Sequence, residues 1–315
     1  MTVQGVILIT GAAGFAGSHV VEALGGSEDV VGWTHHAPPP QEIARLARWQ
    51  RVDLLNPSEV REAIARLKPS AVIHCAGAPN VAHSWRDTVT PLSANVLATH
   101  HLFDALSRTG TACRVVVTGS GTVYAASTAA LTEESPIAPS NPYAVSKLVQ
   151  EQLAFRAAHE DGVDVIVTRS FNHTGPRQSA AFAAPNMARQ IALIEAGRAE
   201  PVIRTGNLEA QRDITDVRDM ARAYIALLRR GASSTLYNVS SGTTRVMRSV
   251  LDALVARSRV QVRVETDPAL MRPNDTPVVL GDPTRLREAT GWRPEVSFDR
   301  TLDDLLNYWR SITTA

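Results

Sequence analysis

The chain has 315 residues, 44% hydrophobic and 20% charged, which suits an ordinary globular protein of one large or two closely packed domains. A formal net charge of +1 leaves no case for nucleic-acid or membrane-surface binding, which needs a concentrated basic face. Two cysteines, Cys75 and Cys113, cannot build a secreted disulfide framework, so a reducing cytoplasm is the expected location.

The first apolar run, residues 6–9, is too short to cross a bilayer, lacks a basic leader and is followed by glycines, so it reads as a strand. Further short runs at 30–33, 71–74, 114–118 and 163–169 do not alternate apolar with polar residues, the pattern of strands buried on both faces. Between them, 16–24, 57–67, 91–107 and 143–159 have helical periodicity. Strand–helix alternation predicts an α/β fold, a Rossmann doubly wound parallel sheet. From about residue 172 the loops carry Gly-Pro and the strand spacing lengthens; 236–239 reads as a strand returning to the sheet and 299–308 as a last helix. The expected organisation is a dinucleotide-binding Rossmann domain over 1–171, with a returning segment near 213–240, and a smaller C-terminal substrate domain over 172–315.

The first strand runs into Gly11-Ala12-Ala13-Gly14-Phe15-Ala16-Gly17. Gly11 permits a tight turn, Gly14 lets backbone approach a pyrophosphate, and Gly17 lets the helix sit close to the strand. The amides at Phe15 and Ala16 then face the phosphates with the positive end of the helix. The second strand ends at His35-His36, with neither the acid that takes a ribose 2′-hydroxyl nor an arginine. A 2′-phosphate meets no repulsion there and His35 can donate to it, which favours NADP(H) and leaves NAD(H) open. Asp53 falls where the third strand should finish, placed to accept from an adenine amino group; Leu54 beside it, Ala76 after the fourth strand, Tyr143, and Lys147, which can hold the nicotinamide ribose hydroxyls, complete the expected cofactor set.

Tyr143 and Lys147 stand four residues apart at a helix start, on one face. A tyrosine titrates near ~10, too high for acid–base work at neutral pH, and an ammonium close by is expected to lower it by on the order of 1–3. Ser120 ends the preceding strand at the carboxyl edge where ligands sit in open α/β sheets, and Thr122 follows it. Asn95, early in the helix after the fourth strand, is expected to anchor a water relay to Lys147. The histidines show no metal-like clustering, so no metal is expected.

Together the glycine turn, strand-end serine, tyrosine and lysine resemble the extended short-chain dehydrogenase/reductase family, and the resemblance runs from the first strand to about residue 308. It places that family's catalytic Ser, Tyr and Lys on Ser120, Tyr143 and Lys147. The stretches 170–176 and 206–213, with 237–242 and Met271-Arg272-Pro273, resemble its GDP-mannose branch. That likeness implies a substrate diphosphate held by Asn172, with Arg212 and Arg272 as guanidinium clamps and Arg189 as a weaker phosphate contact. Ser120, Thr122 and Tyr143 would face the sugar. It implies reduction of the C4 keto group of a nucleotide-linked 4-keto-6-deoxy sugar, GDP-4-keto-6-deoxy-D-mannose to GDP-D-rhamnose, and a homodimer through helices 91–107 and 143–159. The family's sugar dehydratases carry an acidic residue just after the strand-end hydroxyl; Gly121 and Thr122 stand there instead. Ser-Gly-Thr-Val-Tyr at 120–124 is nearer the family's epimerases, so an NAD-dependent 4-epimerase is a second possibility. A non-catalytic NAD(P)-binding regulator is a third, and it predicts loss of Tyr143 or Lys147, both of which are present.

Overall fold

The computed structural model describes residues 4–79, 81–271 and 276–314. The first part alternates as β1 (Val6–Thr10), α1 (Phe15–Leu24), β2 (Asp29–Thr34), β3 (Arg48–Arg51), α2 (Pro57–Leu67), β4 (Ala71–His74), α3 (Val81–Ser84), α4 (Val89–Pro91), α5 (Ala98–Thr109), β5 (Arg114–Ser120), α6 (Pro142–Glu160) and β6 (Asp164–Ser170). There follow β7 (Asn172–Thr174), α7 (Ala183–Glu195), β8 (Val202–Thr205), β9 (Gln211–Asp216), α8 (Val217–Arg230), β10 (Thr235–Val239), β11 (Thr244–Val246), α9 (Met247–Val255), β12 (Arg263–Thr266), β13 (Val278–Val279), α10 (Thr284–Thr290) and α11 (Phe298–Thr314).

Seven strands form one parallel sheet in the order β10-β6-β5-β4-β1-β2-β3, so the predicted return at 236–239 is strand β10, beside β6. Side chains alternate across β1: Ile7 and Ile9 enter a core layer with α1 and α8, whereas Leu8 enters the opposite layer with α2, α5 and α6. Burial on both faces explains why these strands read as unbroken apolar runs. Strand order reverses between β1 and β4, and the crevice at their carboxyl ends is where such sheets take ligands.

Caps define the helix starts. Asn56 and Asn141 each accept a first-turn amide, and Pro57 and Pro142 occupy the position whose N–H would go unused. Two expectations fail locally. The helix expected over 91–107 is interrupted by a π-helical stretch, Leu92–Leu97, between α4 and α5. The third strand stops at Arg51, two residues before Asp53, because the chain turns there with Asn56 N–H donating to the Asp53 carbonyl.

Beyond β6, β9 pairs in parallel with β7 and β13 and antiparallel with β11, outside the main sheet. A third core gathers α7, α9 and α11 around Ile191, Leu251, Leu254, Leu302, Leu305 and Leu306.

Candidate active site

The glycine turn sits at the reversal point. Gly11 has φ +64°, and a Cβ there would lie 2.7 Å from the backbone of Ala76, just past β4. A Cβ on Gly17 would lie 2.3 Å from the Gly11 carbonyl oxygen, so this glycine lets α1 seat against the turn. Gly14 is the N-cap of α1, with no side-chain cap and no acid in the first turn. The amides of Phe15, Ala16 and Gly17 therefore begin a helix that no side-chain carboxylate has neutralised, and the residues fit a dinucleotide pyrophosphate.

At the outer end, the His35 imidazole lies 3.7 Å from the Asp53 carboxylate and packs on His36 with 3.6 Å between ring centroids. One Asp53 oxygen accepts the Leu55 N–H at 2.9 Å, so part of that carboxylate is spent on the turn before α2. The Leu54 carbonyl is held by His101 Nδ1 at 2.8 Å. Ala76 donates its N–H to the Thr10 hydroxyl at 3.3 Å.

The candidate reaction centre lies between β5 and α6. Asn141 and Pro142 start α6 so that Tyr143 is in its first turn and Lys147 one turn on, and both are buried. Ser120 ends β5 and caps the short turn Gly121–Val123; its Oγ accepts the Thr122 N–H at 3.3 Å and meets the Thr122 hydroxyl at 3.0 Å. Burial raises the Tyr143 phenol above its ordinary value, and a hydrogen bond with Ser120 opposes that. The expected lowering of Tyr143 by Lys147 is not what the geometry produces. The Lys147 ammonium donates instead to the Thr118 carbonyl at 2.9 Å and to Gln150 Oε1 at 2.8 Å, and burial brings it down to about 8. The phenol is thus held protonated, the form that gives a proton away.

Asn95 lies fully buried in the π-helical stretch. Its amide donates to Ser146 Oγ at 2.9 Å and to the Ala78 carbonyl at 3.3 Å, and its Oδ1 accepts the Ala78 N–H at 2.8 Å. It clamps the loop after β4 directly to the residue preceding Lys147, a different arrangement from the expected relay. Gly121 also has a packing reason: a Cβ there would press to 3.2 Å from the Phe171 ring.

The residues expected to bind the diphosphate come partly together. Asn172 on β7 is exposed and aligns with Ile214 of β9, so Arg212 lies two residues along the neighbouring strand on the same face. Arg212 Nη1 donates to the Thr276 carbonyl at 2.7 Å. Arg189 is exposed on α7, and Arg272 lies outside the described residues. Periodicity missed the fastening of this region to the glycine turn. The Phe15 ring stacks on His173 at 5.5 Å, His19 Nε2 meets the Pro176 carbonyl at 3.0 Å, and Arg177, at φ +70°, donates to Ser18 and Glu22. It also missed Gln150, one turn beyond Lys147, and the buried pair Arg169–Glu151, closed by two contacts of 2.7 and 2.9 Å.

A doubly wound sheet with a glycine turn at its reversal point and a serine, tyrosine and lysine at the ends of β5 and α6 defines the extended short-chain dehydrogenase/reductase class. Within it, the chain belongs to the GDP-mannose 4,6 dehydratase family, whose model matches residues 8–305. GDP-6-deoxy-D-mannose reductase of Pseudomonas aeruginosa is 35% identical over 308 residues, 97% of either chain. UDP-glucose 4-epimerase of Bacillus subtilis is 28% identical over 326 residues, 95% of either chain. The solved structure of RMD from Pseudomonas aeruginosa complexed with NADPH matches with a TM-score of 0.86 at 32% identity, covering 98% of this chain and 100% of that one.

Proposed function

We propose that this protein reduces the C4 keto group of a nucleotide-linked 4-keto-6-deoxy sugar, GDP-4-keto-6-deoxy-D-mannose to GDP-D-rhamnose, with NADPH favoured over NADH. The observation that carries the reading is the buried Tyr143 phenol, kept protonated beside Ser120 at a strand end that offers no carboxylate at Gly121 or Thr122. Dehydration needs an acid–base group there to move a proton at the sugar. Ketone reduction needs only a proton donor for the oxygen that becomes an alkoxide. Bound NADPH supplies the hydride. Tyr143 Oη gives its proton to the C4 oxygen, Ser120 hydrogen-bonds that oxygen, and Lys147, a buried cation held one turn behind by the Thr118 carbonyl and Gln150, would hold the nicotinamide ribose hydroxyls. Similarity to the P. aeruginosa reductase and to the NADPH-bound structure supports both substrate class and cofactor.

In this reading residues 1–171, with the returning segment near 213–240, hold the cofactor, and 172–315 hold the nucleotide sugar through Asn172, Arg212 and Arg272, with Arg189 as a lesser contact. The protein acts as a homodimer. Val89 and Leu92, with Val145 and Val149 of α6, leave apolar side chains 37–68% exposed on adjoining helical segments of the single chain.

Ser-Gly-Thr-Val-Tyr at 120–124 and the B. subtilis relative favour 4-epimerisation as the second reading. One panel separates them: GDP-, dTDP- and UDP-linked hexoses and 4-keto-6-deoxy-hexoses are offered with NADPH or NADH, and coenzyme consumption and product configuration are recorded. Consumption confined to 4-keto-6-deoxy sugars supports the reductase. Interconversion of unmodified hexoses without net coenzyme use, by protein that keeps its nicotinamide through gel filtration, refutes it.

A further inference from the structure

Lys147 ends a line of hydrogen bonds that crosses the sheet to the glycine turn. Gln150 Nε2 donates to Thr99 Oγ1 at 2.9 Å, His74 Nε2 meets the same oxygen at 2.9 Å, and His74 Nδ1 meets Thr10 Oγ1 at 2.7 Å. Thr10 immediately precedes Gly11 and accepts the Ala76 N–H. Gln150, Thr99, His74 and Thr10 are completely buried and Lys147 is 6% exposed.

The proton positions follow from donor and acceptor counts. An ammonium only donates, so Gln150 turns its oxygen to Lys147 and its amide nitrogen to Thr99. Thr99 gives its one hydroxyl proton to the Asn95 carbonyl at 2.7 Å, so its oxygen can only accept from His74. The His74 proton therefore sits on Nε2. Its Nδ1 is then an acceptor, which takes the Thr10 proton and frees the Thr10 oxygen for Ala76. Turning any one group leaves two donors or two acceptors facing each other where water cannot relieve them, and an unsatisfied buried polar group costs about 1–3 kcal/mol.

We propose that Gln150, Thr99 and a neutral His74 protonated on Nε2 are positioning residues that fix the Lys147 ammonium and tie it to the glycine turn through Thr10. This rests on reading Lys147 as part of the reaction centre. Among the described residues, the titratable groups whose charge couples to Lys147 are His74 of β4 and Cys75 just after it. Burial keeps His74 neutral, with a value near about 3, and pushes Cys75 up to about 12. From α5 comes Thr99, and Arg169 of β6 is neutralised by Glu151.

The chain holds only two lysines, Lys68 and Lys147, so the full protein labelled with 13Cε-lysine gives a readable titration of Lys147 by NMR. Gln150→Leu removes an acceptor from the charged form and is expected to lower the midpoint by about 1, whereas Gln150→Glu raises it by at least as much. Thr99→Val, nearly isosteric, lowers it by releasing the Gln150 amide. The alkaline limb of kcat/KM moves with the midpoints. Histidine 15N shifts in the unaltered protein report the His74 tautomer whatever the variants do. A midpoint unmoved in both Gln150 variants, or a His74 proton found on Nδ1, overturns the proposal. Midpoints that split as stated in a protein that reduces none of the panel sugars uphold the positioning line and refute the proposed reaction, so the two failures are told apart.

Discussion

Gly17→Ala tests the link between the turn and the crevice it forms. The added methyl would fall 2.3 Å from the Gly11 carbonyl oxygen, with the Gly11 carbonyl carbon at 2.9 Å and Ala12 Cα at 3.0 Å. All three are backbone atoms, so no side chain can swing aside, and α1 must back away from β1 by close to an ångström. Overpacking of this kind costs about 1–3 kcal/mol. Alanine regains part of this through better helix propensity, at most about 1 kcal/mol and less in a first turn. The expected net loss is about 1–2 kcal/mol, or a melting temperature lower by about 1.5–3 °C for a chain of this size. The same displacement carries the first amides of α1 out of the crevice, so NADPH affinity should fall by at least tenfold. Gly14→Ala is the control. Its methyl meets only the Gly11 oxygen, at 3.0 Å, and otherwise projects where the pyrophosphate should lie. It should melt within about 1 °C of the parent, an effect below about 0.7 kcal/mol, and still lose NADPH. Calorimetric melting and titration of coenzyme binding on the three proteins decide the matter. A Gly17→Ala protein with the parent's melting temperature and affinity would refute the steric reasoning, and a Gly14→Ala protein that binds NADPH normally would remove the phosphate from the turn.

Tyr143→Phe should cut turnover by two or more orders of magnitude while NADPH binding is retained, the loss of one general acid; near-parental turnover would end the assignment. Glu151→Ala takes the paired carboxylate from Arg169, 3% exposed beside the Tyr124 ring, and breaking such a buried pair costs about 3–5 kcal/mol. A denaturant midpoint unchanged in that variant would show the pair to be dispensable. His74 is held neutral to about 3, against 6.5 when unfolded, so between those values the unfolded chain binds the extra proton and stability falls as pH falls. By pH ~5.5 the expected loss from this group is about 1.4 kcal/mol, which His74→Gln should abolish; equal pH slopes for parent and variant would count against it. Arg212→Ala should raise the KM for the sugar nucleotide several-fold with kcat little changed, and steady-state kinetics showing both constants unaltered would remove the clamp.

The sheet was legible because its strands are buried on both faces and its crossovers obey a 3.6-residue period. The helix starts read from periodicity at 57 and 143 fall within a residue of those of α2 and α6. What escaped is what periodicity does not encode. The π-helical stretch arises where Asn95 is drawn to Ala78 and Ser146, a tertiary hydrogen-bond demand with no local mark. The lowering of Tyr143 was inferred from spacing alone, but a lysine four residues on can point elsewhere, and here the Thr118 carbonyl and Gln150 take it. Gln150, three residues past Lys147 on the same helix face, could have been noticed; Thr99 and His74, which complete the line, come from distant segments and could not.

The stacked rings of Phe15 and His173, with Arg177 reaching back to Ser18 and Glu22, give the two proposed ligand sites a common wall. The strand that carries Asn172, the proposed sugar-side residue, is bolted to the loop that should grip phosphate. If coenzyme and sugar nucleotide bind on either side of that wall, as proposed, any change that one ligand makes in this contact alters the other's affinity, and the two effects are equal by linkage.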